Sequence, residues 1–531
     1  MTSLRTLPVR VPPLRGEAID SWLEALAHRT HTAWADLLSA VGLETPHGIR
    51  TSGWIVHTLP DEAAALSRAT GITPTALDEM TLSRYADTAL RIDPASRTVS
   101  RAFPWSRASR SRYCPDCLAD TGGRWQLAWR LGWSFACLEH RCLLADACPV
   151  CRTVQRHRRL SMGEAIPTPG RCANSAADAT GRAPARCDAD LTITPVARFD
   201  DDHPVLAAQR TVYGVIDTGA ARFGAYCEHP YPSANALADI RAVAGRILAY
   251  ATPDNLADVV SPDLLTAYRA VSALPAAPLG PPRTEDKPGL AAPAQAATAA
   301  VGVTAALTIL GAPDVHAAGD AMRWLVTGAR DRGLSVSATN IGWGRRTTPV
   351  LTAAQLAALG PMLNPSDQLR YRIAASLPRR PTTGSASADR VIHAVPTMLW
   401  PAWSLRFAIC GCHQRQLRLA LSVALLLVGT RKRLDEAADL LDSPVSADAV
   451  YPERCSYCRS TEIGTTSAVR LHDWPTISPA TTSRSIISAG ASSTTPACCL
   501  TRSGPASVAT MACPEGAPPE HGSRDAICSS D

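Results

Sequence analysis

Nothing in this chain constrains its fold more than the stretch from Tyr113 to Cys151, YCPDCLADTGGRWQLAWRLGWSFACLEHRCLLADACPVC. Cys114 and Cys117 are separated by two residues, nineteen residues follow, and Cys137 and His140 repeat the two-residue gap. A Cys-x-x-Cys turn aims two thiolates at one point, and two such half-sites complete a tetrahedral shell around Zn²⁺. Cys142 is an alternative fourth ligand, but His140 is preferred because it keeps the symmetric spacing. A second set begins eight residues later with Cys148 and Cys151, followed after gaps of twenty and fourteen residues by Cys172 and Cys187. Its last two ligands stand singly in a loop-like segment, so free or disulfide-bonded cysteines are the competing reading. Four strong protein ligands leave no open position for a reacting water, so both sites read as structural zinc.

At 531 residues the chain is long enough for several domains. Two lysines, Lys287 and Lys432, stand against 51 arginines, and the formal net charge is +6. Between residues 97 and 159 twelve arginines face four acids, a local +8, so the remainder is slightly acidic. Arg101, Arg107, Arg110 and Arg112 precede the first Cys-x-x-Cys, and Arg156, Arg158 and Arg159 follow the second. The functional reading is contact with nucleic-acid phosphates, and the competing one is a solvated basic face. The first residues lack the apolar core of an export signal, and the most apolar run, 417–428, is too short to span a bilayer. A cytoplasmic protein is expected, and in a reducing compartment seventeen cysteines fit metal better than disulfides.

The periodicity predicts a mainly α chain. Ile19, Trp22, Leu23, Leu26 and Ala27 make one helical face, and a second helix follows Thr32 as a plausible cap, with Trp34, Leu37, Leu38 and Val41 on its stripe. From Asp61 a helix, a turn at Gly71 and a helix opening at Pro74 resemble a helix-turn-helix, or an ordinary helical hairpin. Trp125, Trp129 and Trp133 recur every four residues, which predicts one helical face packed against the metal loops. The expected organisation is a domain of helices and two zinc-ribbon-like or finger-like sites over 1–200, a helical segment over 201–274, and a Pro-rich linker over 275–293. A helical domain follows over 294–450 and a disordered tail over 451–531. The tail holds only two leucines, Leu471 and Leu500, among Ser, Thr, Pro and Gly, too little apolar surface to offset its ordering entropy. Its abrupt start points to a shifted reading frame, and Cys455 and Cys458 are a lone Cys-x-x-Cys within it.

PVRVPPLRGEAIDSWLEALA, with Gly16, Glu17, Ser21, Trp22 and Leu23, followed by the Tyr113–Cys151 stretch, resembles the TniQ family over roughly residues 7–195. The resemblance implies a DNA-binding factor for choosing transposition target sites, combining helix-turn-helix elements with zinc-binding loops. It also implies partners: double-stranded DNA, an AAA+ ATPase regulator, and through it the transposase. A homodimer is left open. The implied zinc ligands are Cys114, Cys117, Cys137 and His140, then Cys148, Cys151, Cys172 and Cys187. No Walker A loop, acidic metal triad or nucleophile elbow is recognisable, so an adaptor rather than an enzyme is expected. The alternative is a stand-alone zinc-containing transcription regulator or protein-interaction module.

Overall fold

The computed structural model describes residues 6–43, 52–107, 110–156, 165–176, 185–272, 292–331, 333, 336–339, 347–382, 391–407 and 413–443. The expected tail, the linker up to residue 291, Arg158 and Arg159 lie outside the described residues. The chain divides into two compact units, Met1–Trp474 and Pro475–Asp531, and all described residues belong to the first. They are mainly α, with three two-stranded antiparallel ribbons and no closed sheet. None of the helices among them is long and apolar enough to cross a membrane.

The N-terminal helices form their own small core. α1 (Ile19–Arg29) buries Ile19, Trp22, Leu23, Leu26 and Ala27 against α2 (Trp34–Ala40), α3 (Pro60–Thr70) and α4 (Pro74–Glu79). Thr32 does not cap α2. Its hydroxyl turns back to the Thr30 carbonyl (3.3 Å), and Ala33 stands at the cap position without a side-chain bond. α3 starts at a proline, where a missing N–H is harmless, and the Glu62 carboxylate accepts from Leu59 N (2.9 Å). Gly71 then ends it at φ +76°, and the Thr73 hydroxyl caps α4 at Ala76 N (3.3 Å). The hairpin is as the sequence reads, but its second helix has only six residues, with Asp78 and Glu79 on its exposed face.

The largest core joins α6 (Pro204–Thr218), α7 (Ser233–Tyr250), α8 (Pro253–Val259) and α9 (Pro262–Ser272) to α10 (Ala296–Leu310), α11 (Val315–Asp331) and α12 (Pro349–Leu359). The Pro-rich stretch therefore does not separate two hydrophobic cores. α10 is apolar on every side, and a helix of that kind has to be enclosed, so it packs along α7 from across the linker. Gly319 permits the close approach of α11 to α12: a Cβ there would lie 2.6 Å from Ala357 Cβ and 3.0 Å from Ala354 O. Asp239 of α7 is fully buried and fastens the start of α12, accepting from Thr348 N (2.8 Å), Thr348 Oγ1 (2.5 Å) and Tyr226 Oη (2.8 Å). Burial is the dominant influence and raises its pKa to about 6 despite those donors.

A further cluster gathers α13 (Pro365–Arg370), α14 (Gln414–Leu427) and α15 (Leu434–Leu440), with Leu369, Leu399, Phe407, Leu421 and Leu426 inside it. Gly429, at φ +69°, lies in the break between the last two helices.

The tryptophan series departs from its expected geometry. Residues 127–130 form a 3₁₀ turn between extended segments, so Trp125, Trp129 and Trp133 share no helical face. All three are buried. Trp125 and Trp129 meet edge to face (5.8 Å) among the metal-centre cysteines, whereas Trp133 stacks on Trp105 (4.7 Å) in the main core. The four-residue spacing reflects side chains needed on two cores joined by one short turn.

Candidate metal centres

The first centre is built from a helix start and a hairpin. Cys114 stands at the cap position of α5 (Pro115–Asp120), and Pro115 fixes the turn that brings Cys117 back toward it. Opposite, β1 (Ala136–Cys137) and β2 (Cys142–Leu143) pair with Cys137 directly across from Cys142, and Arg141 takes φ +51° in the tight turn between them. The turn carries His140 inward. Its Nδ1 lies 3.2 Å from Cys117 Sγ, 3.6 Å from Cys114 Sγ and 3.7 Å from Cys137 Sγ, while Cys117 and Cys137 sulfurs are 3.6 Å apart.

The donor atoms of Cys114, Cys117, Cys137 and His140 all lie within 4.8 Å of one another. A regular tetrahedron with Zn–S bonds of about 2.3 Å has edges of about 3.75 Å, so the spacing and the S₃N donor set both suit a four-coordinate zinc. Cys142 touches Cys114 (3.7 Å) but falls outside this foursome, joining only Cys114 and Asp116 in a separate group. Asp120, three residues after Cys117 on α5, accepts from or shares a proton with His140 Nε2 (2.8 Å), leaving Nδ1 toward the sulfurs. Burial disfavours protonated His140, but its bonds to Cys137 and Asp120 prevail and raise its pKa to about 9. A cation entering this centre therefore displaces protons.

In the second centre Cys148 and Cys151 occupy a tight turn closed by Cys148 N to Thr153 O (3.1 Å) and Arg152 N to Cys148 O (3.0 Å). Cys172 and Cys187 sit on two antiparallel arms laced by Cys172 N to Ala189 O (2.9 Å) and Cys187 N to Asn174 O (2.9 Å). The four sulfurs lie within 4.8 Å of one another, with Cys148–Cys187 and Cys151–Cys172 both 3.7 Å apart. Val150 N (3.4 Å) and Gln155 Nε2 (3.5 Å) donate to sulfurs, the polar support a thiolate cluster requires. Burial pushes the Cys148 thiol up to about 11 and Cys172 higher still. Sequestered thiols of this kind ionise readily only beside a cation. Both sets can hold a metal ion, and each presents four donors.

The arginines around these centres are largely engaged inside the protein. Arg112 is buried, ion-paired with Asp146 (2.8 Å), and donates to Ser134 O (2.5 Å) and Pro293 O (2.9 Å). Arg156 pairs with Asp20 and Glu24 (2.7 Å) and lies over the Trp125 ring at 4.5 Å. Arg112 is fully buried and Arg156 is 12% exposed, and both guanidinium groups are engaged by carboxylates within the fold. Arg130 completes the group by pairing with Asp20, so two arginines of the metal-bearing segment clasp α1. Burial pushes Asp20 up, but Arg130 and Arg156 together hold it below the usual carboxylate range, whereas burial raises Glu24.

Arg107 donates to Pro293 O (2.9 Å) and Ala294 O (3.2 Å), and Arg110 is half-buried and engaged by its neighbours. Arg97, Arg124 and Arg141 pair with Glu62, Glu17 and Asp201. Arg101 is exposed. The local +8 is thus mostly neutralised by carboxylates that the fold brings from other parts of the chain. Asp120, Asp20 and Glu24 had no motif to mark them, although Asp120 follows Cys117 at a helical i+3 spacing.

Residues 8–144 match the TniQ family model, a span that covers α1 to α5 and ends inside the ribbon that closes the first centre. No curated protein matches the chain.

Proposed function

We propose that this chain, which carries a TniQ domain over residues 8–144, is a zinc-stabilised, non-enzymatic adaptor that binds double-stranded DNA in transposition target-site selection and recruits an AAA+ ATPase regulator. The domain match carries the reading, and the two four-donor clusters support its zinc component. Zinc held by Cys114, Cys117, Cys137 and His140, and by Cys148, Cys151, Cys172 and Cys187, would supply cross-linking rather than chemistry, because four protein donors exclude a reacting water. The clasp from Arg130 and Arg156 to Asp20 would tie α1 to that cross-linked segment, so metal binding would also fix the N-terminal helices. The internal pairing of Arg112, Arg130 and Arg156 supports a DNA contact that draws on other cations of the chain.

The test is binding of the full, zinc-loaded chain to a labelled duplex by fluorescence anisotropy across a salt series. Expected are two zinc ions per chain and a steep loss of affinity with salt. A metal-loaded chain that ignores duplex DNA at low salt would overturn the DNA component and leave a protein-protein adaptor. Co-purification with an AAA+ ATPase encoded beside the gene tests recruitment separately.

A further inference from the structure

The C-terminal cluster assembles a basic surface from residues about fifty apart in sequence. Thr382 pairs with Thr430 as a parallel bridge, Thr382 N donates to Gly429 O (3.1 Å), and Gly429 N donates to Leu369 O (3.3 Å). Arg379 N donates to Tyr371 O (3.0 Å), and Arg370 Nε donates to Lys432 O (3.0 Å). These bonds stitch three segments, 369–372, 379–382 and 429–433, into one patch holding Arg370, Arg372, Arg379, Arg380, Arg431, Lys432 and Arg433. Asp367 answers Arg370 (2.9 Å), and Asp435 answers Arg433 (3.3 Å). Among the described residues no ion pair engages Arg379, Arg380, Arg431 or Lys432, and the three arginines of these four are exposed.

The crowding registers on its neighbours. Burial lowers the pKa of the half-buried Arg372 and Arg379 lowers it further, while burial raises that of Tyr371 against the opposing pull of Arg380 and Arg431. Gathering like charges without carboxylates weakens a fold, so stability does not account for the patch. A polyanion does. The aromatic residue within the stitched segments, Tyr371, is buried, and the exposed Trp400 follows Leu399, which bonds Arg418 well before the end of α14. Single-stranded nucleic acid is held chiefly by stacking on such rings, whereas duplex phosphates need only placed cations.

We infer that Arg379, Arg380, Arg431 and Lys432 form a phosphate-gripping surface for the backbone of duplex DNA, on a hydrophobic cluster separate from that of the metal centres. The inference rests on the DNA-binding reading above. It assigns the contact to a part of the chain outside the TniQ match.

Four phosphate contacts would contribute about −3.6 to the slope of log affinity against log salt, and each loss should reduce the slope by about 1. The experiment measures that slope for the full zinc-loaded chain on a 30-base-pair duplex, for Arg379→Ala/Arg380→Ala, for Arg431→Glu, and for the exposed Arg29→Ala as a control. The double variant should lower the slope by about 2 with circular dichroism unchanged, Arg431→Glu should weaken binding further, and Arg29→Ala should leave the slope alone. Wild-type binding with an unaltered slope in both patch variants would overturn this assignment while the DNA-binding reading stands. Absence of wild-type binding would overturn both. An RNA hairpin that outcompetes the duplex through these same residues would overturn the duplex assignment.

Discussion

Arg156→Met should cost the N-terminal half about 3–5 kcal/mol, the range for removing one partner from a buried ion pair. Arg156 answers two carboxylates, Asp20 and Glu24, so its loss leaves Glu24 with no guanidinium and Asp20 with only Arg130. Its contact with Trp125 at 4.5 Å adds about 1 kcal/mol. The cost should depend on pH. Glu24 is already raised by burial, and a raised carboxyl contributes stability in full below its unfolded pKa and loses it as pH climbs through the folded value. Without Arg156 that folded value rises further, so the variant should be relatively less impaired near pH 5.5 than at 7.5. Arg156→Met/Glu24→Gln should recover part of the loss, because it removes the stranded charge and leaves the Arg130–Asp20 pair. The assay is urea unfolding of zinc-saturated protein, followed by tryptophan fluorescence. A variant within about 1 kcal/mol of wild type would refute the clasp, and a DNA salt slope reduced by about 1 would return Arg156 to the phosphate surface.

Native mass spectrometry should find one metal fewer per chain in Cys114→Ser, while Cys142→Ser keeps both, since Cys142 lies outside the foursome; equal loss in the two would exchange their roles. Asp120→Asn should lower the affinity of the first centre 10- to 100-fold, the usual effect of removing a histidine's outer partner, measured by competition with a chelator. Asp239→Asn should flatten the pH dependence of unfolding. The folded pKa of about 6 lies above the ordinary 3.8, so this group's stabilisation is complete below 3.8 and is lost as pH rises through 6. About 1.4 kcal/mol of that loss falls between pH 5 and 7.5, and an identical pH profile in the variant would refute it. Gly319→Val should force α11 from α12 and lower the thermal midpoint by several degrees in calorimetry.

Local chemistry was readable in the sequence. The ligand spacing named all eight donors that the structure brings together, and Gly71 and Pro74 marked the turn between α3 and α4. What the sequence concealed depends on contacts between distant segments. A count of arginines cannot distinguish Arg156 from Arg101, because the acids that bury Arg156 lie more than 130 residues earlier. The spacing of Trp125, Trp129 and Trp133 imitates a helix because one short 3₁₀ turn serves two cores, and periodicity records only burial. A prolines-and-alanines linker looks like a boundary, yet α10 is too apolar to stand apart from α7. The basic patch was invisible for the same reason, since Arg379 and Arg431 become neighbours only through the Thr382–Thr430 bridge.

Gln209 carries one more consequence. From α6 it receives Phe135 N (2.7 Å) and Ala136 N (3.0 Å) and donates to Trp133 O (3.2 Å), holding the strand that leads to Cys137. Arg112 likewise needs Asp146 and Pro293. Each of these partners lies beyond residue 144, where the family match stops. The span that matches the family model and the unit that folds are therefore different objects. A segment cut at residue 144 would leave Arg112 and the strand before Cys137 without the aspartate, the carbonyl and the glutamine that seat them.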